Sequence, residues 1–170
     1  MSFYKMASLN PFSSWVSAEM ISEVRIDGYY YDYKFIELEK KLKMTDFEIV
    51  CLGDLFNVIT DGDHEKRDYV LEGIPFYTVR DIEEFQINDN NDLFISEADH
   101  VRLKRSKLEP NNLLITKTGR VGTTAVVPRM KKKGNISADV AILKSAKKAM
   151  DEHYLGTYLN SRYGQLAILR

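Results

Sequence analysis

Short apolar runs separated by polar turns fill the middle of this chain, and helix-like periodicity is confined to two segments near its ends. Apolar residues recur at helical spacing over residues 17–44 and again over residues 151–169. The apolar runs between them are bounded by Gly, Pro, Asn or Asp, which is typical of strands joined by turns. The pattern therefore predicts many short strands with a helix on either side of them.

The clearest strand pair is 113–116 with 124–127, because both runs are apolar and a turn containing Gly119 and Gly122 separates them. Ser96 is the predicted N-cap of a short helix that continues to about Leu103. The remaining predicted strands lie within residues 47–52 or 55–60, 73–80 and 136–143.

Together these elements predict an α+β fold. We expect a single mixed domain with a curled, barrel-like sheet of short strands, flanked by N- and C-terminal helices. A chain of 170 residues is long enough for one such domain and an additional arm. We assign residues 1–45 to an N-terminal arm and helix, and residues 46–170 to the main domain.

Composition is that of an ordinary globular protein, with 44% apolar residues. No apolar run approaches the roughly 18 residues of a membrane helix, and the N-terminus does not resemble a signal peptide. The single cysteine, Cys51, lies in a strand-like run and is predicted to be a small buried core residue. These features predict a cytoplasmic protein with no membrane partner.

Charge is distributed unevenly along the chain, although the formal net charge is only −1. Residues 1–60 carry six Lys or Arg and nine Asp or Glu (net −3), residues 61–99 carry three and twelve (net −9), and residues 100–170 carry fifteen and four (net +11). A basic segment of this size favours a polyanionic partner. The alternative is that the acidic middle folds onto the basic end and neutralises it.

Motifs for common chemistry are missing. The glycine turn GRVGTT lacks P-loop spacing and lies between strands, so it does not indicate a nucleotide site. His100 and His153 are predicted at the surface or at helix ends. Four residues with metal-binding side chains lack calcium-loop spacing and a second His/Cys cluster, so a solvated loop without metal or cofactor is the favoured interpretation. These four are Asp61, Asp63, His64 and Glu65.

Basic and hydroxyl side chains in several loops suit the phosphates and base edges of DNA. Arginine offers a planar fork that matches guanine, lysine a mobile charge for phosphate, and short hydroxyls reach either. RLKRSK at 102–107 is a further basic run, although any such run taken singly is more often a solvated face. The predicted DNA-binding residues are Thr78, Arg80, Lys117, Thr118, Gly119, Arg120, Gly122, Lys131, Lys132, Lys133 and Ser137.

Five motifs in order closely resemble the target recognition domains of type I restriction–modification specificity (S) subunits. They are CLGDLFNVITDGDH, EGIPFYTVRDI, FISEADHVRLKRSKLEPNNLLITKTGRVGTTAVVP, NISADVAIL and YLGTYLNSRYGQLAI, and the match covers about residues 49–170. The resemblance implies a non-catalytic module that recognises one half of a bipartite target in double-stranded DNA. It also implies DNA methyltransferase (modification) subunits and a restriction subunit as partners, which carry out DNA methylation and cleavage.

Other interpretations of the sequence stay open at this point. The chain could be a half subunit, a cloned domain or the tail of a larger enzyme, such as a fused adenine DNA methyltransferase. A second function is a small metal-dependent hydrolase that uses the DGDHE loop. A third is a protein-interaction module that docks a methyltransferase through RIDGYYYDYKF and the terminal helix.

Overall fold

The computed structural model describes residues 18–21, 25, 27–62, 64–65, 68–90, 92–129, 133–146 and 151–170. Residue contacts divide the chain into two compact units, residues 1–48 together with Arg170, and residues 49–169. The assignment of residues 1–45 to an arm and 46–170 to a recognition domain stays a prediction. Nothing in the described part of the chain is a helix long and apolar enough to cross a membrane.

The first unit contains a 3-10 turn, Ala18–Met20, and helix α1, Tyr33–Lys43. The helix begins later than the apolar spacing predicted because Asp32 caps it, accepting a hydrogen bond from the Lys34 amide at 3.0 Å. Its buried face consists of Phe35, Ile36 and Leu38. Within the same unit, the Arg170 guanidinium binds Glu39 at 3.0 Å.

The second unit holds most of the secondary structure. Its elements are α2 (Leu52–Leu55), β1 (Phe56–Asp61), β2 (Ile74–Tyr77), β3 (Ile82–Glu83), β4 (Gln86–Ile87), β5 (Phe94–Ile95), α3 (Glu97–Arg102), a 3-10 turn (Lys104–Ser106), β6 (Leu113–Thr116), β7 (Thr124–Val126), β8 (Asn135–Ile136), β9 (Val140–Ala146), α4 (Glu152–Asn160) and α5 (Arg162–Leu169).

Three small sheets are formed by the described strands. The largest is antiparallel in the order β1-β9-β6-β7, with Leu114 paired to Ile142 on one side and to Ala125 on the other. The second has the order β5-β2-β8, in which β2 and β8 are parallel, and the third is the β3-β4 hairpin. The α+β class and the flanking helices are confirmed.

The expectation of a curled, barrel-like sheet is wrong: none of the described sheets is closed or strongly curled. Closure would require β1 to pair with β7, but β7 is already occupied on its outer side. The Thr124 amide donates to the Asn160 side chain at 2.9 Å, and the Thr124 carbonyl accepts from the Phe85 amide at 3.0 Å. Helix α4 and the β3-β4 turn therefore protect this edge in place of another strand.

The four-stranded sheet is covered on both faces, which explains why the run LLIT is apolar without alternation. Leu114 packs into a cluster with Val140 and Ile142, whereas its neighbour Leu113 packs on the opposite face against Leu155 and Leu159 of α4. All of these side chains are buried. The sheet is thus a central layer from which the loops project.

Two predicted elements are interrupted. The predicted strand 136–143 is divided into β8 and β9 by a turn, in which the Val140 amide donates to the Ser137 carbonyl at 3.1 Å. The terminal helix is divided at Ser161, whose hydroxyl donates to the Tyr158 carbonyl at 2.6 Å. The prediction that Cys51 is a buried core residue is wrong, because it is exposed at the start of α2.

Candidate nucleic-acid interface

Residues 117–121, called the glycine loop below, form an exposed loop between two buried ends, Thr116 and Gly122. Thr116 closes the loop: its hydroxyl donates to the Arg120 carbonyl and accepts from the Thr123 amide at 3.0 Å. The Gly122 amide donates to the Thr116 carbonyl at 2.8 Å. The loop is therefore fixed by main-chain and buried hydroxyl contacts, and its exposed side chains are not needed to close it.

Gly119 within this loop and Gly122 at its end both have left-handed backbone, with φ of +63° and +89°. This conformation disfavours other residues, so the glycines permit the tight turn. Gly122 also lies against α5, where the Gln165 side chain donates to its carbonyl at 2.8 Å. The C-terminal helices thereby hold the base of the loop in place.

Lys117 is directed toward the end of β1. Its main-chain amide donates to the Asp139 carbonyl at 2.8 Å, and its Nζ lies 2.5 Å from Oδ2 of Asp61. The Lys117 amine lowers the pKa of the Asp61 carboxyl below its ordinary value, burial opposes this, and the His64 imidazole adds to the lowering. Asp61 is therefore ionised at neutral pH beside a lysine of the glycine loop.

Two arginines outside the predicted site line a cleft with Gly62, the residue that follows Asp61. Arg105 Nη2 is 3.4 Å from Oδ1 of Asp61 and 3.1 Å from the Gly62 carbonyl. Arg102 binds Glu65 at 3.0 Å and Asp99 at 3.1 Å. An open cleft of about 340 Å³ lies here, lined by Gly62 and residues 102–106. The RLKRSK run was predicted to be basic, but nothing in the sequence indicated that Arg105 would share the Asp61 carboxylate with Lys117.

A buried polar network holds this basic segment. Asn135 of β8 donates to the Leu103 carbonyl at 3.1 Å and to the Ser106 hydroxyl at 2.8 Å, and its Oδ1 contacts His100 Nδ1. Asn135, His100 and Ser106 are all buried. His100 lies in the last turn of α3, as the helix-end alternative predicted, but the surface alternative is wrong because its ring is buried and ties α3 to β8.

Thr78 and Arg80 lie in the turn after β2. The Thr78 amide and hydroxyl both donate to Asp81, at 2.7 and 3.0 Å, so Thr78 organises the turn. The exposed Arg80 side chain lies 3.6 Å from Asp92. Arg120 comes close to the same turn, since its Nη2 donates to the Ile82 carbonyl at 3.0 Å. Thr118 is exposed in the glycine loop.

Ser137 connects the two halves of the predicted site. Its amide donates to the Tyr77 carbonyl at 2.9 Å, and Gly62 packs directly on its backbone. Its hydroxyl is buried without a hydrogen-bond partner among the described atoms. Tyr77, which precedes Thr78, Gly62, which follows Asp61, and Lys117 itself are therefore joined through the 137–139 turn at one end of the sheets.

The three consecutive lysines 131–133 are only partly described. Lys133 is exposed and binds Glu97 at 2.8 Å, at the first turn of α3. Lys131 and Lys132 lie outside the described residues. The structure thus brings the 78–81 turn, the glycine loop and Ser137 together, and it places Lys133 with α3.

Acidic residues of the 61–99 segment pair with basic residues on this surface, and apart from Asp92 with Arg80 the pairs below join that segment to the basic 100–170 segment, as the neutralisation alternative predicted. The pairs are Asp61 with Lys117 and Arg105, Glu65 with Arg102, Asp92 with Arg80, and Glu97 with Lys133. Surface pairs of this kind contribute only about 0–1 kcal/mol each. They can therefore be exchanged for contacts with another anion.

The hydrolase interpretation gains no support from the geometry. Among the residues that the structure describes, no three His, Cys, Asp or Glu side chains are grouped for metal binding. His64 lies 3.1 Å from Asp61, which is also bound to cations. Asp63 lies outside the described ranges.

Comparison with known proteins gives structural matches only. No protein-family model and no curated protein sequence matches the chain. One similar structure is a chain from a study of complex assembly and conformational transition of the type I R-M system, with 18% identity, a TM-score of 0.55, and coverage of 78% of this chain and 34% of that one. Another is the HsdS subunit from Thermoanaerobacter tengcongensis, with 17% identity, a TM-score of 0.52 and the same coverage.

The chain spans about a third of the length of each of these two proteins. At this level of identity the likeness concerns the fold, and the resemblance seen in the sequence motifs is confirmed to that extent. Over 78% of its length, the chain has the fold found in HsdS specificity subunits of type I restriction–modification systems.

Proposed function

We propose that this protein is a sequence-specific DNA-binding module that recognises one half of a bipartite target for a restriction–modification system and has no catalytic activity of its own. The observation that carries the proposal is the glycine loop. It presents five consecutive exposed residues, 117–121, from buried ends that are hydrogen-bonded to the sheet and to the C-terminal helices. Reading of base edges requires such rigid placement, because discrimination depends on the geometry of the hydrogen bonds.

The residue types around this loop suit two tasks. Arg120 carries the planar donor fork that pairs with guanine, and Lys117 carries a mobile charge suited to phosphate. Arg80 extends from the adjacent turn, and Lys131, Lys132 and Lys133 supply further phosphate contacts in the proposal. The surface ion pairs of Arg80, Lys117 and Lys133 are weak enough to be replaced by phosphates.

The proposed partners follow from the fold. One matched protein belongs to a type I R-M system studied for complex assembly. We infer that this protein likewise acts with DNA methyltransferase (modification) subunits and a restriction subunit, and that these contribute contact area on the DNA.

A selection experiment tests the proposal. The full chain is incubated with a pool of random duplexes, bound duplexes are sequenced, and affinity for the enriched sequence is measured over a series of salt concentrations. We expect an enriched motif and an affinity that falls steeply with salt, by a slope of about −0.9 for each phosphate contacted. Selection is repeated with the modification subunits present, so that contacts they supply are included.

A complementary measurement uses the source DNA. Modification-sensitive sequencing with and without this gene should show a methylated motif that disappears when the gene is removed. If no motif is enriched in either selection and methylation is the same with and without the gene, the proposal is wrong.

A further inference from the structure

The Asp61 carboxylate is held from two sides by cations that belong to separate loops. Lys117 Nζ lies 2.5 Å from Oδ2, and Arg105 Nη2 lies 3.4 Å from Oδ1. His64 Nε2 is 3.1 Å from Oδ2. The two oxygens of one carboxylate are thus contacted by a lysine of the glycine loop and by an arginine of the 3-10 turn.

This arrangement matches a phosphodiester as well as a carboxylate. A phosphodiester also carries one negative charge over two oxygens at a similar separation, and Arg and Lys are the side chains that bind it. The Gly62 carbonyl fixes the Arg105 guanidinium at 3.1 Å, and the cleft of about 340 Å³ lined by Gly62 and residues 102–106 lies beside it. The site therefore has both the donors and the room for a phosphate.

Asp61 differs from the acidic residues that organise turns. Asp81, for example, accepts from the main-chain amide and the hydroxyl of Thr78, so it stabilises the backbone directly. The side-chain contacts that the structure describes for Asp61 are all with cationic or imidazole side chains. Its carboxylate lies at the end of β1 and is partly exposed, so it can turn toward water if the cations take another anion.

We propose that Lys117 and Arg105 form a phosphodiester-binding site, and that Asp61 occupies its anion position in the free protein. The inference rests on the proposed DNA-binding function and adds to it a specific phosphate site and a competing carboxylate. A duplex gains these two contacts only by displacing Asp61. Because the penalty is the same for every sequence, Asp61 weakens binding to random DNA and makes stable binding depend on base contacts elsewhere.

The test is the variant Asp61→Asn, measured for affinity to a random-sequence duplex by fluorescence anisotropy over a range of salt concentrations. We expect about fivefold to tenfold tighter binding, because two cations lose their competitor. The slope of log affinity against log salt should become steeper by about 1–2, as two more phosphate contacts form. Glu37→Gln is the matched control: it removes the same charge from an ion pair of α1, that of Glu37 with Lys41, and should change affinity less than twofold.

A variant that lacks both cations tests whether the gain in affinity arises at the proposed site. In a protein that already carries Lys117→Met and Arg105→Gln, adding Asp61→Asn should leave affinity unchanged, because the cations that it would release are gone. Thermal melting of each variant shows that it is folded. A gain that persists in this background contradicts the proposed site and indicates only a general effect of charge.

A readout on the unsubstituted protein does not depend on the variant folding. Adding duplex should move the NMR signals of the Asp61 carboxyl carbon and the Lys117 ammonium together, because their contact is broken. If the wild-type protein binds duplex and neither these signals nor the Asp61→Asn affinity changes, the inference fails while the proposed function stands. If neither wild type nor Asp61→Asn binds duplex at any salt concentration, the inference is wrong, and the proposed function is decided by the selection with the modification subunits present.

Discussion

The side-chain amide of Asn160 binds both polar groups of the Thr124 backbone. Its Oδ1 accepts from the Thr124 amide at 2.9 Å, and its Nδ2 donates to the Thr124 carbonyl at 2.7 Å. A side chain of α4 thus makes the hydrogen bonds that a neighbouring strand would make at the edge of the four-stranded sheet. Thr124 is completely buried and lies two residues after Gly122, so this pairing also anchors the glycine loop.

Replacing this amide tests its contribution. We expect Asn160→Ala to lower the free energy of unfolding by about 2–3 kcal/mol, because the Thr124 amide is left buried without a partner. Denaturant unfolding measures the change. Tyr154→Ala, at a position of α4 whose side chain is mostly exposed, is the control and should cost less than about 1 kcal/mol. Similar losses from both variants would show that the helix, and not the amide, matters.

Gly62 lies too close to its neighbours to accept a side chain. A Cβ at this position would lie 2.1 Å from the Ile136 carbonyl oxygen and 2.3 Å from that of Ser137, both of them backbone atoms. Gly62→Ala should therefore destabilise the protein by about 1–3 kcal/mol and shift the 137–139 turn. Melting temperature and amide chemical shifts of the turn report the two effects.

The same substitution at Gly53 is the control for Gly62→Ala. A Cβ on Gly53 meets nothing within 4 Å, and the residue lies within α2. Gly53→Ala should be neutral or stabilise by up to about 1 kcal/mol, because alanine favours helix. A stable Gly62→Ala protein would mean that the turn is free to move away.

The Asp61 contact predicts a dependence on pH. Its folded pKa is lowered, chiefly by Lys117, so its contribution to stability is complete above the unfolded pKa and is lost as pH falls through the folded pKa. The difference in unfolding free energy between wild type and Asp61→Asn should therefore be largest at neutral pH and shrink in acid.

An NMR titration of the carboxyl groups measures the Asp61 pKa directly. It should lie below the ordinary aspartate value in wild type and return toward it in Lys117→Met, in which the first cause of the shift is removed. A titration curve that is the same in both proteins would show that Lys117 does not pair with Asp61 in solution.

Arg120 is the residue predicted to read a base. If its guanidinium binds a guanine bidentately, Arg120→Ala should lose about 1–3 kcal/mol of binding to the selected duplex and relax discrimination at one position. Arg120→Lys should retain binding to random DNA but not the discrimination, because lysine lacks the planar fork. Competition with single-base variants of the selected duplex measures both.

Lys133→Ala provides the comparison for Arg120, since Lys133 is exposed and is expected to contact phosphate. It should weaken binding by the same factor on every duplex and reduce the salt slope by about 1. Equal, sequence-independent losses from the arginine and lysine variants would refute this division of roles.

Local signals in the sequence predicted the elements closest to the candidate site. Strand β6 was predicted with its observed bounds, and β7 ends one residue earlier than predicted. Both strands were predicted because a turn containing Gly119 and Gly122 separates two apolar runs. Ser96 was predicted as a helix cap, and its hydroxyl accepts from the Asp99 amide at 3.0 Å. In each case a few neighbouring residues determine the conformation.

Features that depend on distant contacts were missed. The parallel pairing of β2 with β8 joins residues far apart in the sequence, and neither strand carries a local sign of it. Nothing in the pattern showed that Asn160 would cover the edge of β7, so a barrel was expected instead of an open sheet. The position of Arg105 on Asp61 has the same origin, because 44 residues separate the two.

The exposed loop 117–121 ends at residues that belong to the interior, and none of its side chains takes part in the hydrogen bonds that Thr116 makes to close it. The five exposed side chains could therefore be replaced by others while the buried residues that close the loop stay the same. Under the proposed function, substitutions confined to these five positions would change the DNA target and leave the fold intact.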